Sequence, residues 1–142
     1  MIGGPKATVR LEIDAGDLNS FYQHVDGLCA LKYFNFGRKA LQEMYGISDE
    51  QLFEQGLGFF IRDYDFRSRE EIRSLGVEVR SSFGRRTPLT FFIEHSLVCD
   101  GKLCIEGTTE HFFARLADRN FSKPPQEFIG KLETGFLISK DY

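Results

Sequence analysis

The chain has no tryptophan, two methionines, four prolines and three cysteines in 142 residues. Cys29, Cys99 and Cys104 form an odd set without Cys-x-x-Cys spacing, which argues against a disulfide framework or a thiolate metal site. A basic excess is also missing: 18 Lys and Arg stand against 21 Asp and Glu, for a net charge of −3. A general nucleic-acid binder would show a basic stripe, so that class is set aside. No apolar run approaches the roughly 20 residues that span a bilayer. The opening Met1-Ile2-Gly3-Gly4-Pro5-Lys6 lacks the charged-then-apolar pattern of a leader. The expectation is a protein of the reducing cytoplasm, with no nucleic-acid or membrane partner.

What is abundant is phenylalanine, at 15 residues. Such a load suits a sheet packed on something bulky, or an apolar substrate tunnel. The length fits a single domain over residues 1–142 with a real core. Arginine is clustered at Arg62, Arg67, Arg69 and Arg73 and again at Arg80, Arg85 and Arg86, which leaves room for a local anion site.

Thr8 to Ile13 alternates, with Val9, Leu11 and Ile13 on one face, and predicts a strand. Asp14 to His24 is rich in Asp, Gly, Asn and Ser and predicts a long loop, a kind more often functional than most. Gly27 to Tyr45 predicts a helix with two apolar stripes. Leu28, Leu31, Phe34, Leu41 and Tyr45 make one, and Cys29, Tyr33, Phe36, Ala40 and Met44 the other. A helix apolar on most of its circumference is expected to be buried on most sides. Ser48-Asp49-Glu50-Gln51 is a capping box opening a short helix that stops at Gly56. Strands are predicted over Leu57–Phe66, Ile72–Phe83, Leu89–Cys99 and Leu103–Leu116, with a turn at residues 84–88 and a hairpin at Asp100-Gly101. Phe128–Leu132 reads as a short turn of helix. The order is strand, long helix, short helix, then four strands. It is an α+β plan with an antiparallel sheet against a central helix.

The densest chemistry lies just before that helix. A helix N-terminus offers unpaired N–H groups and the positive end of the macrodipole, which favour an oxyanion or a polarised carbonyl. Asp17 is a candidate base or nucleophile against a thioester, or else a turn residue. Asn19 orients water or bonds a carbonyl, or is likewise a turn residue. His24 serves acid–base chemistry or holds the loop. Asp26 is a natural N-cap, with the oxyanion donors just after it. Tyr33, Phe36 and Met44 line an acyl pocket or pack the core. Arg85, Arg86 and Thr87 offer charge-assisted bonds to a phosphorylated ligand, or form a solvated turn. His95 and His111 sit on strands without metal spacing, and no metal site is expected.

From His24 the chain runs His-Val-Asp-Gly-Leu-Cys-Ala-Leu-Lys-Tyr-Phe-Asn-Phe-Gly-Arg. This resembles the His-Val-Asn-Asn-x-x-Tyr-Leu-x-Tyr-Phe-Glu-x-x-Arg segment of hotdog acyl-CoA thioesterases of the 4-hydroxybenzoyl-CoA thioesterase type. His24, Val25, Leu31, Tyr33, Phe34 and Arg38 match. The turn at Gly84–Phe91 and the hairpin at Asp100–Thr109 are similar to later family segments. In that family the catalytic Asp lies four residues before the His-Val pair. Counting back lands on Ser20, or on Asn19 with the motif's first Asp at Asp17 if the loop holds one extra residue; the three positions stay open. The resemblance implies a hotdog fold, hydrolysis of a coenzyme A or carrier-protein thioester, and no cofactor beyond the coenzyme A of the substrate. It implies a homodimer or tetramer of dimers with sites between subunits. Val25, Asp26, Tyr33, Arg85, Arg86 and Thr87 are its substrate-binding positions, and Asp17, Asn19 and His24 its catalytic ones. Gly16-Asp17-x-Asn19 with His24-x-Asp26 also resembles the Gly-Asp-x-Asn-Pro-x-His motif of hotdog enoyl-CoA hydratases. A hydratase, or a binder of acyl thioesters without turnover, is the alternative.

Overall fold

A computed structural model describes residues 4–17 and 27–134. Five strands form one antiparallel sheet: β1 (Ala7–Glu12), β2 (Leu57–Ser68), β3 (Gly76–Arg86), β4 (Phe91–Cys99) and β5 (Lys102–Arg115). Their spatial order is β1-β3-β4-β5-β2, so β1 and β2 are the edges. The helices are α1 (Gly27–Met44), α2 (Asp49–Glu54) and α3 (Gln126–Thr134).

The sheet follows from period-two patterning. Val77, Val79, Ser81 and Phe83 of β3 are buried, as are Phe91, Ile93, His95, Leu97 and Cys99 of β4. The residues between them on β4 are charged or less buried. The β4–β5 turn has φ of 53° at Asp100 and 76° at Gly101, the doubly left-handed geometry that suits a two-residue hairpin. The β2–β5 register shifts between Ile61 and Asp63, so the inward series restarts at Tyr64 and Phe66.

Helix α1 lies across the inner face. Gly37 permits the closest approach: a Cβ there would stand 2.2 Å from Ser81 Oγ and 2.8 Å from Val79 Cγ1. Around its first half gather Ile13, Ala30, Tyr33, Phe34, Val79, Leu97 and Ile105. Around its second half gather Leu41, Tyr45, Phe59, Phe83, Phe91, Phe113 and Phe128. The Phe128 ring sits within 5.3–5.7 Å of the rings of Tyr45, Phe83, Phe91 and Phe113, so α3 closes the end of the core. The phenylalanine load thus serves the sheet–helix interface in large part.

The capping box forms as predicted: Gln51 N–H donates to Ser48 Oγ and Ser48 N–H to Gln51 Oε1. Arg38 and Gln42 bind α2 to α1, because Gln42 Nε2 donates to Ile47 O at 2.8 Å and to Asp49 Oδ1 at 3.1 Å while Arg38 reaches Gln42 and Asp49.

Three expectations need revision. Helix α1 is not buried nearly all round: Lys32, Phe36, Lys39 and Glu43 are exposed, because one sheet covers one side only. The third strand starts at Gly76 rather than Ile72, whose side chain is buried from an irregular crossing segment. The C-terminal helix runs over Gln126–Thr134, longer than Phe128–Leu132.

Candidate functional site

The end of β1 meets the second turn of α1, and the part-exposed carboxylate of Asp17 lies there. Asp17 N–H donates to Asp14 O at 2.9 Å, which folds residues 14–17 back on themselves. Asp17 Oδ2 accepts from Tyr33 Oη at 2.6 Å and from Lys32 Nζ at 2.9 Å. Lys32 Nζ also donates to Asp14 Oδ2 at 2.7 Å. Tyr33 Oη accepts the Asp14 N–H at 3.0 Å. The phenol is buried, yet the Asp17 side chain keeps 27% of its surface exposed, so a solute can reach it.

The electrostatics follow from these bonds. The Tyr33 hydroxyl, then Lys32, hold the Asp17 carboxyl below its ordinary range, against a smaller opposing effect of burial. Burial first, and the bond to Asp17 second, push the Tyr33 phenol up. Bonds to Asp14 and Asp17 raise the Lys32 ammonium. At neutral pH Asp17 is therefore an anion, Lys32 a cation and Tyr33 a neutral donor. An ionised, oriented carboxylate can accept a proton from water or attack a carbonyl carbon.

Of the sequence-predicted residues, the structure brings Asp17 and Tyr33 together. Asn19, His24, Val25 and Asp26 lie outside the described residues. Arg85, Arg86 and Thr87 stand elsewhere. The Arg85 guanidinium stacks 3.9 Å from the centroid of Phe92, in a shallow groove with Asp63, Asp65, Glu94 and Glu110 on the sheet face away from α1. Arg86 lies over Phe91 at 5.5 Å. Thr87 Oγ1 accepts from Leu89 N and Thr90 N and bonds Thr90 Oγ1, so it organises its own turn.

Residue-by-residue reading missed Lys32 and Asp14. Lys32 adjoins Tyr33 on a helix facing an acidic loop, which was the available signal. It also missed a buried polar chain beneath α1. Ser81 Oγ meets His95 Nδ1 at 2.7 Å, His95 Nε2 meets Thr109 Oγ1 at 2.9 Å, and Thr109 Oγ1 meets His111 Nε2 at 2.8 Å. His95 stacks on Phe34 and His111 on Phe59. Burial, then the neighbouring His111 and Arg38, press His95 down to about 3. Burial and then Arg38 do the same to His111, also to about 3. Both rings are neutral. If Ser81 donates to His95, His95 to Thr109 and Thr109 to His111, each bond has one proton and only His111 Nδ1–H lacks an acceptor among the described residues. The reverse direction would strand the Ser81 hydroxyl proton as well.

Among the described residues no cluster of His, Cys, Asp and Glu is arranged to hold a metal ion. No described helix is long and apolar enough to cross a membrane.

No protein-family model and no curated protein matches the sequence. Solved structures do match the shape. A hypothetical protein from Thermus thermophilus superposes with a TM-score of 0.77 at 16% identity, over 93% of this chain and 98% of that one. The DHNA-CoA thioesterase of Staphylococcus aureus gives 0.75 at 14% identity, over 91% of each chain. The 1,4-dihydroxy-2-naphthoyl-CoA thioesterase of Synechocystis gives 0.70 at 12% identity, over 90% of this chain and 96% of that one. The fold is the hotdog fold, a sheet wrapped on a central helix, shared with these thioesterases.

Proposed function

We propose that this protein hydrolyses an acyl or aroyl thioester of coenzyme A, or of a carrier protein, to the free acid and the thiol. The observation that carries the proposal is the Asp17 carboxylate, held ionised and part-exposed by donors from α1 on a fold whose named neighbours are thioesterases. Water adds its oxygen to the thioester carbonyl carbon and the carbon–sulfur bond breaks. Asp17 takes the water proton, which then leaves with the thiolate as thiol. In the nucleophilic variant Asp17 adds first and water cleaves the resulting anhydride. Asn19, His24, Val25 and Asp26 complete the set of residues assigned to the reaction, with backbone N–H groups at the start of α1 receiving the carbonyl oxygen. Arg85 and Arg86 supply positive charge for the phosphates of the thiol carrier, and Thr87 shapes their turn. No metal or redox cofactor enters this scheme.

The partner assigned here is a second copy of the chain, in a dimer or a tetramer of dimers. Support comes from two open sheet edges and from Ile61 and Tyr64, exposed on edge strand β2. Three free cysteines suit a cytoplasmic setting.

The test is thiol release from a panel of acyl- and aroyl-CoA thioesters, with wild type beside Asp17→Asn and Asn19→Ala. The expected result is turnover that falls by about 10²–10⁴-fold in Asp17→Asn, the usual worth of a positioned base. Turnover unchanged in Asp17→Asn removes that residue from the chemistry. No release from any substrate overturns the hydrolase assignment.

A further inference from the structure

We infer that Tyr33 and Lys32 are positioning residues for Asp17, two donors on one helix that hold its carboxylate by Oδ2 in the orientation the proposed hydrolysis uses. The inference rests on the proposed hydrolysis and names the residues that make the carboxylate usable.

Proton direction is the first argument. Tyr33 Oη already accepts from Asp14 N–H, a group that can only donate. An ionised carboxylate can only accept, so the hydroxyl proton goes to Asp17 Oδ2 at 2.6 Å. The chain of bonds has one sense: Asp14 backbone to Tyr33, Tyr33 to Asp17. A short O–H···O⁻ bond is among the stronger polar contacts, and the phenol that makes it is buried and cannot swing away.

Placement is the second argument. Asp17 lies on a helical stretch described over residues 15–17, and Tyr33 and Lys32 are consecutive residues of the 18-residue helix packed on the sheet. A long helix packed on a sheet is a rigid support, as a precise site requires. Both donors converge on the same oxygen, which fixes the plane of the carboxylate.

Charge is the third. Among the described residues, the titratable groups facing Asp17 are Lys32, Tyr33 and Cys29 on α1 and Asp14 on its own segment. Lys32 bridges the two carboxylates and cancels the repulsion Asp14 would otherwise exert on Asp17. Without either donor the ionised form of Asp17 loses stabilisation, and its titration moves toward higher pH.

The experiment pairs two readouts on the full-length protein. One is the pH profile of kcat/KM for the best thioester substrate in wild type, Tyr33→Phe, Lys32→Gln and Lys32→Arg. The other is the ¹³C carboxyl titration of Asp17 in the free protein, which needs no turnover. Tyr33→Phe keeps the ring and its packing; Lys32 is exposed, so its variants serve if Tyr33→Phe fails to fold. The expected result is an acid limb and an Asp17 midpoint that both move up in Tyr33→Phe and Lys32→Gln. The accompanying loss in kcat is about tenfold or more with KM little changed, and Lys32→Arg restores most of it. An Asp17 midpoint that stays in place in Tyr33→Phe and Lys32→Gln overturns the inference. So does a moved midpoint with an unchanged kcat and profile. If wild type hydrolyses nothing while the midpoint still moves, the hydrolase assignment fails and the anchoring of Asp17 stands.

Discussion

Two groups of ionisable side chains lie on opposite sides of α1, and the protein treats them in opposite ways. At the end of β1, Asp17 and Lys32 are partly exposed, and the shifts of both favour the charged form. Beneath the helix, His95 and His111 are buried against Phe34 and Phe59, and every shift favours the neutral form. Water and a compensating ammonium make charge affordable in the first region. In the second only hydroxyls are in bonding distance, and a hydroxyl cannot offset the desolvation of an imidazolium. Burial alone therefore does not mark a site. The candidate chemistry belongs where charge is kept and a solute can arrive.

Acid should separate the two most strongly. The imidazoles titrate near 6.5 in the unfolded chain and at about 3 when folded. The unfolded state therefore binds more protons below pH 6.5, and stability falls from there down to about pH 3. Asp17 adds to the loss in the same direction at lower pH, because its folded carboxyl resists protonation. Between pH 7 and pH 4.5 each imidazole costs about 2–3 kcal/mol. Urea unfolding across that range should show the decline, and His111→Phe should remove roughly half of it; a flat profile would mean that the rings charge in place.

A smaller effect comes from Gly37. A methyl group in Gly37→Ala would collide with Ser81 Oγ, lift α1 and disturb the hydroxyl–imidazole chain. Overpacking of this kind costs about 1–3 kcal/mol, read as a lower urea midpoint. The Asp17 carboxyl titration should not move, since Tyr33 and Lys32 lie on other positions of the helix. If it does move, the two regions are mechanically coupled.

Salt should give the smallest effect. Lys32, Asp14 and Asp17 are exposed enough to be screened, so high ionic strength should nudge the Asp17 titration upward and leave both histidines unprotonated at neutral pH. A shift in the histidine proton resonances of the same size would show that the buried chain senses solvent.

The sequence made the framework legible wherever a local rule dominated. The capping box at Ser48, the hairpin at Asp100-Gly101 and the alternation of β4 each rest on neighbours a few residues apart, and each is present. Non-local features were harder to read. The outward face of α1 looked apolar because Leu31 of one stripe and Phe36 of the other stand there, and only the one-sided cover of the sheet leaves Phe36 at 46% exposure. Ile72 reads as strand by composition but serves the core from a crossing segment. At the candidate site Asp17 and Tyr33 were both picked out, one for chemistry and one for a pocket wall. Their bond depends on a fold that brings residues 16 positions apart into contact. Arg85 was picked out for its charge; its stacking on Phe92 beside four carboxylates is a property of the assembled sheet.

The strand order has a consequence for the way the chain comes together. Strand β3 pairs with β4 and β4 with β5 across short connections, and such local closures cost little configurational freedom. Strand β1 must instead find β3 across the whole of α1, α2 and β2, with Val9 opposite Val79. The Asp14 amide that caps the Tyr33 phenol is carried in by that distant pairing. The sheet's middle is thus assembled from neighbours, while the carboxylate cluster depends on the longest-range strand pairing of the sheet.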